Sequence, residues 1–141
     1  MKKFIFIVMF ILMTIGFAEA QTWYSANQKT VAWDAVTALA DGSPIPADSS
    51  VQYRVFIAPS TATGEDQKIE MGIATGTNYL ITLTTQGRYW VGIRSELVSN
   101  SVVVAQSAIS WSDDSSKVPN GQTWGLSSFT APAGTKGLRT Q

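Results

Sequence analysis

Apolar and polar residues alternate with a period of two along most of this chain. In "KTVAWDAV", Val31, Trp33 and Ala35 fall on one side, and Thr30, Ala32 and Asp34 on the other. In "VQYRVFIAP", Val51, Tyr53, Val55 and Ile57 alternate with Gln52, Arg54 and Phe56. In "NYLITLT", Tyr79, Ile81 and Leu83 alternate with Leu80, Thr82 and Thr84. In "GRYWVGIRSE", Tyr89, Val91 and Ile93 alternate with Arg88, Trp90, Gly92 and Arg94. Such alternation turns one set of side chains toward a core, as half-buried strands do. "SVVVAQSAISWSDD" reads as a further strand, with Ile109 and Trp111 on one face. "EMGIATG" reads as a short edge strand around Glu70–Ala74.

Turn chemistry separates these runs. "DGSPIPADSS", "STATGEDQ", "TGTN", "TQG" and "SN" are rich in the Gly, Pro, Asn and Asp that turns require. No segment carries a sustained helical stripe, so there is no helical crossover for parallel strands. The expected fold is therefore all-β: an antiparallel β-sandwich of about seven strands.

The two ends differ from this pattern. Lys2 and Lys3 precede an apolar run, Phe4 to Phe17, and then Ala18-Glu19-Ala20. Residues 1–20 read as a cleavable signal peptide; the run falls short of the roughly 20 apolar residues of a membrane span. Export is expected, to a periplasm or outside the cell, with a bacterial source and no stable membrane insertion after cleavage. Residues 21–114 read as the sandwich. Residues 115–141 read as a Ser/Gly/Pro-rich extension that adds at most one strand, in "GQTWGLSSF", before a tail.

Composition narrows the function. The chain has no His and no Cys, which removes Ser-His-Asp and Cys-His nucleophiles and the common zinc sites. Without residues 1–20 the net charge is about −1, so no long-range field favours nucleic acid. No cofactor or metal is expected. Asp113 and Asp114 can be drawn as a calcium site or a carboxylate pair, but calcium needs six to eight oxygens, and a solvated turn accounts for them.

The run from about Ser25 to Asp114 resembles a fibronectin type III domain. Trp33 stands where that family carries an inward Trp on the second strand. Tyr53, Val55 and Ile57 match its third strand. Leu83 followed by Tyr89, Val91 and Ile93 matches its tyrosine corner, in which the Tyr hydroxyl bonds back to the connecting backbone. Thr85 replaces the usual Pro, and the first strand in "QTWYSANQ" is weak. "APAGTKGLR" is similar to the Pro-led opening strand of such a domain, which implies the remnant of a tandem array or a strand completing this domain or a neighbour; the alternative is a flexible tail.

The resemblance implies an immunoglobulin-like sandwich and a non-enzymatic module for protein–protein contact or adhesion. The alternatives are a small carbohydrate-binding module using exposed Trp residues and a subunit of an extracellular fibre. The partner, protein or glycan, is unknown, and self-association is open. If Tyr89, Val91 and Ile93 face inward, Arg88, Trp90 and Arg94 face outward beside Arg54 and Phe56. Those five residues form the candidate binding face. The competing account is that arginine stems shield the aromatic rings and the ladder stiffens the sheet.

Overall fold

A computed structural model describes residues 21–130. Nine strands follow in order: β1 (Thr22–Ser25), β2 (Gln28–Ala32), β3 (Ser49–Pro59), β4 (Ile69–Ala74), β5 (Asn78–Thr82), β6 (Gly87–Ser99), β7 (Val102–Gln106), β8 (Ser110–Trp111) and β9 (Trp124–Ser128). Each alternating run contains a strand, although β2 stops at Ala32, before Trp33 and Ala35, and β4 lies where a short edge strand is expected. The all-β sandwich is the observed fold.

Seven strands form one sheet, with β1-β9-β6-β3-β4 as its path and β7 and β8 also paired to β6. Among the described residues, the second sheet consists of β2 and β5. All pairs are antiparallel except β1 with β9, which is parallel. β1 thus joins the larger sheet, although it precedes β2 by only two residues.

Strand β6 organises the larger sheet. One of its edges pairs along its length with β3, from Ser49↔Ser99 to Pro59↔Tyr89. Its other edge is shared by three short strands in turn. β7 takes the end of β6, β8 takes Gly92 and Ile93, and β9 takes Gly87 to Tyr89. "SVVVAQSAISWSDD" is therefore two strands rather than one, with β7 and β8 separated by residues 107–109. Asn100 and Ser101 both have positive φ, the backbone of a tight hairpin whose twist matches its strands.

The sandwich also extends past Asp114. Residues 113–123 leave the sheet as an excursion, and β9 returns to it. Buried Ser112 anchors this excursion: its Oγ accepts from the Val91 amide at 3.0 Å, and its carbonyl accepts from the Trp124 amide at 3.0 Å. Leu126 of β9 is fully buried. Trp124 to Ser128 fold in because they supply that core side chain, which outweighs the polar character of the flanking sequence.

Val31, Val55, Ile57, Ile81, Leu83, Tyr89, Val91 and Leu126 form the core, with Trp33, Tyr79 and Trp124 packed against it. Full burial of such side chains contributes about 1.5–3 kcal/mol each. The Tyr89 hydroxyl donates to the Thr85 carbonyl at 3.3 Å, the bond back to the connecting backbone expected from the sequence. Gly87 permits it: its φ is +153°, and a Cβ there would lie 3.2 Å from the Tyr89 hydroxyl.

Candidate functional site

The five candidate residues lie together on the outer face of the larger sheet, and all but Arg88 are buried or half-buried. Period-two pleating places Gln52, Arg54 and Phe56 of β3 on the same face as Trp90, Gly92, Arg94 and Glu96 of β6. Glu96, which did not stand out in the sequence, is the centre. It is 1% exposed and its carboxylate accepts from Arg54 Nε (2.7 Å), Arg54 Nη2 (3.1 Å), Gln52 Nε2 (2.9 Å) and Arg94 Nη2 (3.0 Å). Arg54 also pairs with Glu70 of β4.

This arrangement fixes the charges. Hydrogen bonds, first from Arg54 and then from Gln52 and Arg94, hold the Glu96 carboxyl at about 2, against an ordinary value of 4.5, although burial opposes them. The Glu96 hydrogen bond likewise raises Arg54 above its ordinary range. The two-pronged Arg54–Glu96 contact is the strong, directional kind of ion pair.

Aromatic rings continue the ladder in both directions. The Arg94 guanidinium lies 5.3 Å from the Phe56 ring centroid, and Phe56 is buried beneath it. Next along β6, Gly92 has no side chain, and Trp111 and Ile109 fill the space: a Cβ at Gly92 would sit 2.7 Å from both. Trp111 is therefore on the outward side. Beyond it, Trp90 stacks on Trp23 of β1 with centroids 4.6 Å apart, and Arg88 covers Trp23 at 5.1 Å. Trp23 thus packs under the ladder, whereas its neighbour Tyr24 is 44% exposed. Of the five, only Arg88 is exposed.

Of the acidic pair, Asp114 has local partners. Asp114 accepts from the Ser116 amide and hydroxyl (2.9 and 2.7 Å), which lowers its pKa. Asp41 does the same with Ser43. Among the described residues, no group of three or more His, Cys, Asp or Glu side chains is placed to hold a metal ion. None of their helices is long and apolar enough to cross a membrane. The expected signal peptide, residues 1–20, and the "APAGTKGLR" segment lie outside the described residues.

A different surface stands open. All five residues of β7 are exposed, with Val102 at 61%, Val103 at 40% and Val104 at 57%. β7 pairs only with β6, so its other backbone edge is free among the described residues. From Leu97 to Ser112 there is no charged residue. Native edge strands are usually guarded by lysine, proline or a bulge that turns them away; β7 has a bulge at Leu97/Val98 but neither residue type. Period-two reading missed this surface because three consecutive valines have no phase. The signal available in the sequence was the uncharged run itself.

No family model, curated protein or solved structure matches this chain.

Proposed function

We propose that this chain is an exported, non-enzymatic contact module that meets a protein partner through sheet edges, at the cell envelope or outside the cell. The observation that carries this reading is the uncharged, exposed β7 with its free backbone edge. Strand addition to such an edge draws affinity from main-chain hydrogen bonds and specificity from alternate side chains. The sandwich alone does not select this role, since the same architecture hosts many. Export rests on the character of residues 1–20.

The outer ladder supports the reading from the other side. Its arginines and aromatic rings are committed to Glu96, Phe56 and Trp23, so it stiffens the sheet that presents β7. A fluorescently labelled chain, residues 21–141, added to envelope preparations of the producing cell provides the test. Binding should be lost when the preparation is treated with protease and should weaken at least tenfold in Val103→Lys. Binding that survives protease, or is indifferent to Val103→Lys, would sink the proposal.

A further inference from the structure

The two sheets differ in width, and the inner face of the larger one is partly uncovered where β9 meets β1. Leu126 of β9 belongs to the core, so Trp124, two residues away, shares its inward side. Tyr24 of β1 stands opposite Leu126 in the register and faces the same way, yet it is 44% exposed. The Tyr24 ring meets Trp124 edge-on, with centroids 6.2 Å apart, and Lys29 Nζ of β2 lies over it at 4.8 Å.

A cavity of about 320 Å³ continues this row from Trp124. Val31, Trp33, Val91, Ile93 and Trp124 supply its apolar lining. Buried Tyr53 backs Trp33 edge-on at 5.3 Å, as Tyr24 backs Trp124, so both indoles are held before anything binds. Asp34, Ser110 and Lys117 add polar groups to the lining, and all three are exposed. The indole N–H of Trp33 is buried without an acceptor among the described residues, which is rare for a buried donor. Apolar and aromatic walls with a few polar groups, at this volume, are the usual make-up of a small-molecule site.

The lining selects the ligand. A pyranose ring has a C–H face that lies flat on an indole and hydroxyl groups that both donate and accept. Asp34 accepts, Lys117 donates and Ser110 does either; a hydroxyl oxygen is also the kind of acceptor that the Trp33 N–H lacks. A wholly apolar ligand would use none of these groups. A strongly ionic one would meet both signs of charge, from Asp34 on one side and Lys29 and Lys117 on the other. Trp23 and Trp90 offer no alternative platform, because they stack on each other.

We propose that this cleft binds a neutral, soluble saccharide, with one pyranose ring in the cavity lined by Trp33 and Trp124 and a second against Tyr24. This activity goes beyond the β7 contact and uses no residue of β7.

The test is isothermal titration calorimetry of residues 21–141 with maltose, cellobiose, xylobiose and chitobiose. At least one should bind, with a Kd of about 1 mM or tighter. Lys117→Ala and Tyr24→Ala, both at exposed positions, should each weaken that binding by about two- to tenfold, the worth of one ordinary contact. Trp124→Ala should remove it, with near-UV circular dichroism as the check on folding. In chain labelled with fluorotryptophan, the bound sugar should shift the fluorine resonances of Trp33 and Trp124 and leave those of Trp23 and Trp90 in place. Val103→Lys should bind sugar like the unaltered chain, and saturating sugar should leave the β7 contact with envelope preparations unchanged, so the two readings fail separately. Heat from none of the four sugars overturns the proposal; residues 131–141 seated in the cleft of their own subunit would give that result. Binding indifferent to both Lys117→Ala and Tyr24→Ala overturns it too, as do resonance shifts confined to Trp23 and Trp90.

Discussion

The outer face of the larger sheet and strand β7 are both built on β6, yet they have opposite characters. The outer face carries three arginines and several aromatic rings, and it is closed: Glu96 gathers two of the arginines, and Phe56 and Trp23 lie under guanidinium groups. β7 carries no charge and no ring, and among the described residues it is open on its side chains and on one backbone edge. Residue types that usually mark a binding site are here engaged with each other. The bland residues keep unspent bonding capacity. Exposure and unpaired backbone, rather than chemical richness, separate the two regions.

That contrast can be broken at its strongest point first. Glu96→Ala leaves Arg54 and Arg94 without their buried acceptor, and loss of one partner from a buried pair typically costs about 3–5 kcal/mol. Both arginines retain about one-fifth exposure, which puts the expected loss nearer the lower figure. Urea unfolding followed by tryptophan fluorescence measures it. A loss under about 1 kcal/mol would mean the ladder is ordinary surface.

Acid tests the same network without mutation. A carboxyl whose folded pKa lies below its unfolded value adds stability above the unfolded value and loses it as pH falls toward the folded one. For Glu96 that window runs from about pH 5 down to about pH 2. Stability should fall across it by about 2–3 kcal/mol more in the natural chain than in Glu96→Gln. Parallel curves for the two would place the acid sensitivity elsewhere.

Gly92→Ala should come next, at about 1–3 kcal/mol, because its methyl group meets Trp111 and Ile109 at 2.7 Å. Thermal unfolding of this variant reports whether Trp111 really closes the face. The smallest effect belongs to the open region. Val103→Lys should change stability by no more than about 0.5 kcal/mol, since Val103 contributes little to the fold. A large loss there would show that β7 is structural, and the contrast would collapse.

Much of the fold was legible because alternation reports burial directly. Val55, Ile57, Ile81, Tyr89 and Val91 are inward in the sequence pattern and buried in the structure. Leu83 and the Tyr89 corner also stand as the motif implies. What alternation does not report is pairing. Nothing local in "QTWYS" says that β1 will leave β2 and lie parallel to β9. Nothing local in "WGLSS" says that Leu126 will be wholly buried. Both depend on contacts between the two ends of the fold. The outer face was legible as a set of residues but not as a closed network, because that depended on Glu96. Glu96 shares parity with Arg94 and pairs across to Gln52, so only the strand register reveals it as an anchor.

The central claim is that contact is made at β7 and not on the arginine and aromatic face. A photoreactive phenylalanine analogue placed at Val103 in one sample and at Arg88 in another, each illuminated in envelope preparations of the producing cell, tests it most directly. The account predicts a protease-sensitive adduct at position 103 and none at position 88. An adduct at position 88, with none at 103, would contradict it.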